Sequence, residues 1–171
     1  TTSSSIATLT GNNNGLTGAV TISAGAFEAQ HSNALGTGAG VVSVTSGAAL
    51  RLSGGITIPR GATFAGTGLT NTGAIRNISG NNTISGVIDF SATGPYIASD
   101  AGTLTFSNTG TISRATYTVS FLGAGNIDFS PKLALTSGTV TKLSGAGVTI
   151  LRGANSYTGA TTISAGYLGY I

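Results

Sequence analysis

The stretch 141–166 constrains the fold more than any other part of the chain. Apolar residues alternate with polar ones around Val148, Ile150 and Ile163, which is the period of a β-strand rather than of a helix. Between these strands lies the segment 153–159, whose glycines and asparagine suit a turn with positive φ angles. Short strands joined by glycine-rich and asparagine-rich corners, with almost no charge, are typical of one turn of a parallel β-solenoid.

The same stretch carries a pattern of spaced glycines around an Asn-Ser-Tyr-Thr segment. The positions that make up this pattern are Lys142, Gly145, Gly147, Gly153, Ala154, Asn155, Tyr157, Thr158, Gly159, Thr162, Ile163 and Gly166. The pattern resembles the passenger-associated β-strand repeat of bacterial autotransporters, and a weaker likeness extends the resemblance to roughly residues 9–55 and 141–168. The resemblance implies a secreted β-helix, and it implies no particular activity.

An internal repeat links the two ends of the chain. Residues 17–25 recur at 158–166, 141 positions later, with Val20 replaced by Thr161 as the single difference. Internal self-similarity is the signature of solenoid architectures. We therefore predict that residues 1–171 form a single β-solenoid segment in which the motif of 9–25 restarts at 151–166. We also expect the segment to be an excerpt of a longer repeat array.

A second recurrence suggests the length of one turn. The tetrad Ile-Asp-Phe-Ser occurs at 88–91 and again at 127–130, 39 positions later. Two turns of about 20 residues would give this spacing, within the range expected of solenoids. The sequence therefore predicts an all-β fold, a right-handed parallel β-helix with about 20 residues per turn and about eight turns. The one short helical turn that we expect lies at 28–33, between Gly25 and Gly36.

Composition narrows the possible partners. The chain has 28 glycines, seven basic and four acidic residues, and no cysteine. The basic residues are spread singly, so there is no basic run of the kind that binds nucleic acid or anionic membranes. No apolar run approaches the ~20 residues of a membrane-spanning helix. We expect no nucleic-acid partner and no membrane insertion within this segment.

Four carboxylates are the only acidic groups: Glu28, Asp89, Asp100 and Asp128. If Asp89 and Asp128 lay two turns apart on one face, they would be separated by roughly 10 Å, at the upper edge of the range for an inverting glycosidase. A carbohydrate-binding or carbohydrate-cleaving β-helix protein is therefore the alternative interpretation. Both residues belong to the same Ile-Asp-Phe-Ser repeat, however, and a shared structural role explains them equally.

Other candidate sites are weaker. His31 is the only histidine and there is no cysteine, whereas a zinc site needs three or four ligands, so we expect a surface histidine. We predict no catalytic, cofactor-binding or metal-binding residues, no cofactor, and no enzymatic activity.

Two surface patterns remain open. Thr-x-Thr pairs mark ice-binding solenoids when they align on one face, but their spacings here are unequal. The tyrosines could line a sugar-binding face. The residues concerned are the threonine pairs Thr8/Thr10, Thr103/Thr105, Thr116/Thr118 and Thr139/Thr141, and the tyrosines Tyr96, Tyr117, Tyr157, Tyr167 and Tyr170.

Together these features favour a structural role. We expect an extracellular stalk or fibre segment, secreted or displayed at the bacterial cell surface or outer membrane, that supports adhesion, cell–cell contact or filament assembly. The expected partners are further units of the same kind, joined end to end, with surface glycans as a further candidate.

Overall fold

The computed structural model describes residues 5–92 and 94–171, in which almost all regular structure is β-strand. The strands are short, and each pairs in parallel with a strand one turn away. The predicted all-β parallel solenoid is therefore confirmed. Within the described residues there is no helix long and apolar enough to cross a membrane.

The strands lie on three faces. The first face is an eight-stranded sheet of β1 (Ile6–Leu9), β3 (Ala26–Ala29), β5 (Ala49–Ser53), β8 (Ile75–Ser79), β11 (Tyr96–Ser99), β14 (Thr118–Leu122), β17 (Thr139–Lys142) and β20 (Thr161–Ile163). The second face is a six-stranded sheet of β6 (Thr57–Ile58), β9 (Asn82–Ile84), β12 (Thr103–Phe106), β15 (Asn126–Phe129), β18 (Val148–Leu151) and β21 (Tyr167–Tyr170).

The third face is divided into two sheets. Four strands form the first of these, β2 (Val20–Ile22), β4 (Val42–Val44), β7 (Ala62–Phe64) and β10 (Ile88–Phe90). Three strands form the other, β13 (Thr111–Ser113), β16 (Lys132–Thr136) and β19 (Ser156–Tyr157). From β5 onward the chain visits the first, second and third faces in rotation.

Turn length varies along the chain. On the first face, the step from Ile6 to its partner Ala26 is shorter than the step from Leu50 to its partner Ile75. The average is about 22 residues over about seven turns, so the turns are slightly longer and fewer than predicted. The additional residues lie in corners, which can lengthen without disturbing strand pairing because they lie outside the ladders.

The core consists of apolar columns that run along the axis. The first face stacks Phe27, Leu50, Ile75, Ile97 and Phe121; the second stacks Ile58, Ile84, Phe106, Phe129 and Leu151; the third stacks Ile22, Val44, Phe64 and Phe90. The rings of Phe106 and Phe129 lie 5.1 Å apart, and Phe121 meets Phe129 edge-on. Alternate residues of each strand thus fill one dry interior, as the period of two requires.

The two copies of the internal repeat form the same local structure on different faces. In each copy a strand ends at Ser-Ala-Gly, and the glycine, Gly25 or Gly166, has a φ of 69° that other residues rarely adopt. The first copy turns from the third face to the first, and the second copy turns from the first face to the second. Ile22 and Ile163 are therefore not members of one column, because the spacing between the copies is not a whole number of turns.

The predicted helical turn at 28–33 is wrong. Glu28 belongs to β3, and the residues that follow form turns in which Ala34 N donates to His31 O and Gly36 N donates to Asn33 O. A short 3₁₀ turn lies instead at Leu69–Asn71, inside the longest turn of the solenoid. The β-alternation of Phe27 and Ala29 directs both side chains toward the core, which a helix could not do.

The assigned columns predict that a charge at Ile22 destabilises the fold much more than a charge at Ile163. Ile22 is 6% exposed at the head of the third-face column, so Ile22→Asp should lower the free energy of unfolding by about 3–5 kcal/mol through an unpaired buried charge. Ile163, which is 54% exposed, provides the matched control, and Ile163→Asp should cost far less. Urea unfolding measures both, and equal losses would contradict the assigned register.

Candidate functional site

Each of the four carboxylates forms an ion pair with an arginine of a neighbouring turn. The pairs are Glu28–Arg51, Asp89–Arg114, Asp100–Arg76 and Asp128–Arg152. Arg76 Nη2 lies 2.8 Å from Asp100 Oδ2, whereas Arg51 Nε lies 3.3 Å from Glu28 Oε2 without hydrogen-bond geometry. All four acidic groups therefore cross-link successive turns.

The expected proximity of Asp89 and Asp128 on one face is wrong. Asp89 belongs to β10 on the third face, and Asp128 belongs to β15 on the second. Their spacing in the sequence falls short of two average turns, so the second Ile-Asp-Phe-Ser tetrad lies one face away. The pairing with Arg114 and Arg152 is the shared structural role that the repeat suggested.

A buried arginine joins three parts of the chain without a carboxylate partner among the described residues. Arg60 is 3% exposed, and its Nε donates to Gly40 O at 2.8 Å. Its Nη2 donates to Gly18 O at 2.6 Å, and its Nη1 donates to Leu35 O. These carbonyls belong to the corners between β1 and β2 and between β3 and β4, where later turns have a second-face strand. Arg60 therefore holds together the two turns that depart from the regular pattern. Nothing in the local sequence distinguished this arginine from the others.

The lysine of the repeat motif is also buried. Lys142 occupies the interior column between Phe121 and Ile163, and its Nζ donates to Ser144 O at 2.5 Å and Gly145 O at 3.1 Å. Burial lowers the pKa of Lys142. The motif lysine thus supplies donors to the carbonyls of the corner that follows it.

Asparagines at or just before the start of second-face strands bond to the main chain of the next turn. Asn81 Oδ1 accepts from Thr103 N at 3.0 Å, and Asn126 Oδ1 accepts from Val148 N at 3.0 Å, in both cases one turn further on. These amides bond mainly to the main chain of the adjacent turn rather than to one another, so they extend the strand ladders into the corners.

His31 is partly buried, and its Nδ1 accepts a hydrogen bond from Asn33 N at 3.0 Å. Across residues 5–92 and 94–171, no group of three or more His, Asp or Glu side chains is placed to hold a metal ion. The histidine contributes to the turn that follows β3.

The threonine pairs and the tyrosines are distributed over different faces. Thr103 and Thr105 lie on the second face, whereas Thr139 and Thr141 lie on the first. Of the five tyrosines, Tyr157, Tyr167 and Tyr170 lie in the last turn, and Tyr96 and Tyr117 lie earlier. Within the described part of the chain, the threonine pairs therefore do not align as in ice-binding solenoids, and the five tyrosines do not form one sugar-binding face.

Tyr157 makes hydroxyl contacts in the last turn. Its Oη lies 3.0 Å from Thr161 Oγ1 and 2.5 Å from the hydroxyl of Tyr170. Burial, together with the contact to Tyr170, raises the pKa of Tyr157 to about 12. The hydroxyl therefore stays protonated through the usual range of pH.

Shallow grooves mark the outer surface of the described chain, among them one on each face. One, of about 400 Å³, lies on the third face beside Thr136 and Tyr157, and one of about 300 Å³ lies on the second face beside Asp128 and Val148. The third, of about 240 Å³, lies on the first face between Asn71 and Ser144 and contains the Arg76–Asp100 ion pair. We call it the first-face groove.

The last turn leaves strand edges and the ends of apolar columns exposed. Ile163 is 54% exposed at the end of the first-face column, and Tyr170 is 49% exposed at the end of the second-face column. The strands β20 and β21 each pair with a strand on one side only. Neither strand contains a charged residue. This surface has the chemistry of a solenoid interior and could receive a further parallel turn.

Comparison with known families explains why the two ends of the chain look alike. The model of the passenger-associated-transport-repeat family matches residues 2–29 and 143–168. Both ends of the chain are therefore similar to the passenger-associated-transport repeat. The repeat and the solenoid fold together indicate an autotransporter passenger-like segment, and the family suggests secretion or surface exposure. The likeness predicted for residues 32–55 lies outside the matched segments and stays a prediction. No curated protein and no solved structure matched the chain.

We expect the buried Arg60 to matter more than an exposed arginine. Arg60→Met would leave the carbonyls of Gly18, Leu35 and Gly40 without their donor and should cost about 3–5 kcal/mol of unfolding free energy. Arg152→Met, which removes a surface ion pair, should cost far less. Urea unfolding compares the two, and limited proteolysis should show the corners at 10–18 and 30–41 opening first in the Arg60 variant.

The raised pKa of Tyr157 predicts a pH dependence. The folded chain holds this proton more tightly than the unfolded chain, so the stability that it contributes is lost as pH rises from about 10 towards 12. Ultraviolet titration of tyrosinate should show one late-ionising tyrosine that is absent from Tyr157→Phe. In denaturant all tyrosines should ionise together near their ordinary pKa of about 10. An unchanged late ionisation in the variant would contradict the assignment.

Proposed function

We propose that this passenger-like segment serves as an extended extracellular scaffold, a stalk or fibre that holds adhesive or other parts of a passenger away from the cell. The observation that carries the proposal is the unbroken eight-stranded first face, in which every step adds one strand spacing. Seven steps of about 4.8 Å give an axial span of about 34 Å for this segment. Length therefore grows in direct proportion to the number of turns.

Cross-links between turns support a rigid rod. Ion pairs, asparagine bridges and the buried Arg60 each connect residues about one or two turns apart, on all three faces. A rod needs this kind of bond because bending would separate neighbouring turns on its outer side. The charged residues of the chain are thus used largely for holding turns together, which favours a mechanical role over a catalytic one.

The partner we propose is another unit of the same kind, stacked on the last turn. The strand edges of β20 and β21 offer main-chain hydrogen bonds, and the exposed Ile163 continues an interior column. Uncharged edges without lysine or proline give little protection against such pairing. Head-to-tail stacking that does not close into a ring produces a filament.

Two matched variants test the stacking. Residues 1–171 should show an apparent mass that rises with concentration in analytical ultracentrifugation, and filaments with a ~4.8 Å axial repeat by electron microscopy and diffraction. Ile163→Lys should abolish association by placing a charge on the edge. Val87→Lys adds the same charge at a site that is 60% exposed but lies in a mid-chain corner, and it should associate like the unmodified chain.

Two results would contradict the proposal. A monomer at every accessible concentration would show that the last turn does not receive another unit. Equal association of the Ile163→Lys variant would show that contacts elsewhere on the surface join the molecules.

A further inference from the structure

In the longest turn of the solenoid, the segment Leu69–Asn71 lies on the outside of the first face. We call this segment the ledge. Leu69 is buried against Ala26 and Ala49, which alternate with the inward Phe27 and Leu50 and therefore face outward. To make this contact the chain turns through Thr70 and Asn71, whose φ angles of 52° and 59° are rare outside glycine. Adjacent strained residues of this kind are characteristic of functional sites.

The first-face groove lies directly beside this ledge. Asn71 and Thr72 line it on the side of the ledge, Ser144 lines it further along the axis, and the partly exposed Leu122 adds apolar surface between them. Its volume of about 240 Å³ is below the ~300–1,000 Å³ of sites for drug-sized ligands. The groove therefore suits one small unit of a larger molecule rather than a whole cofactor.

The polar groups of the groove are both donors and acceptors, without net charge. Arg76 Nε donates to Asp100 Oδ2 at 2.9 Å, and Arg76 Nη1 donates to Thr72 Oγ1 at 2.9 Å. A guanidinium has five N–H groups and a carboxylate has about four acceptor positions, so both keep capacity for a ligand. Asn71 Oδ1 accepts from Thr67 Oγ1 at 2.5 Å, which leaves the amide N–H groups of Asn71 for another acceptor.

We propose that the first-face groove binds a neutral sugar residue of an extracellular glycan. Sugar hydroxyls both donate and accept, which matches a site in which Arg76, Asp100, Asn71 and Ser144 offer both functions side by side. The carboxylate and guanidinium neutralise each other, so a charged ligand gains no net attraction. The apolar C–H side of a pyranose would contact Leu122. The proposal goes beyond the scaffold role and does not depend on stacking.

An array of immobilised neutral oligosaccharides, ending in glucose, galactose, mannose or N-acetylglucosamine, tests the proposal. Sialylated and uronic-acid glycans on the same array provide the charged comparison. The full chain should bind at least one neutral series, and the free monosaccharide should compete. Binding only to the charged glycans, or to none, would overturn the proposal.

Groove variants locate the site. Asp100→Asn removes the charged acceptor, and Asn71→Gly removes the amide while accommodating the positive φ, so each should weaken binding about tenfold, as expected for the loss of one strong hydrogen bond. Asp128→Asn, which breaks a similar ion pair on the second face, should leave binding unchanged. The Asn71 variant leaves the Arg76–Asp100 pair intact, so its failure to bind could not be attributed to loss of that pair.

The outcomes separate the two proposals. Neutral-glycan binding that survives both groove variants, or that is lost equally in Asp128→Asn, would overturn the site. Circular dichroism of each variant should show the unmodified β signal. Ultracentrifugation of the Asp100 variant should still show stacking, because the groove lies away from β20 and β21.

Discussion

Main-chain pairing between successive turns is the constraint on which the rest of this structure depends. Each strand must meet its neighbour in parallel, so each inward residue must lie above another inward residue, and the interior becomes a set of continuous columns. The corners can then differ in length, provided that the chain re-enters the ladder in register. This is why turns of unequal length coexist on the first face without interrupting the sheet.

The sequence predicts the periodic part of this arrangement. It does not predict which side chains of different turns come together. Alternation around Val148 and Ile150, together with corner glycines, is sufficient for a parallel solenoid, because both are local requirements of every turn. The placement of Asp89 and Asp128 on one face failed since it assumed a constant turn length. Variable corners shifted one tetrad to another face.

Long-range contacts of charged side chains could not be predicted for a related reason. The bonds of Arg60 to Gly18, Leu35 and Gly40 join residues that are far apart in the sequence, and no local pattern marks them. The ledge at Leu69–Asn71 was equally hidden, because its only sequence signal is a run of corner residues. Both features are irregularities in a regular fold, and they occur where the solenoid departs from its repeat.

The change of face between the two repeat copies has a geometric consequence for any array built from such units. If the same unit recurs at the spacing of these two copies, each copy begins one face further round the axis than the copy before it. Equivalent surface points of successive units then follow a helical path around the axis. They point toward each of the three faces in turn and do not form a straight row. A feature duplicated along with the unit would be presented to all sides of the rod, and the original direction would return after every three copies.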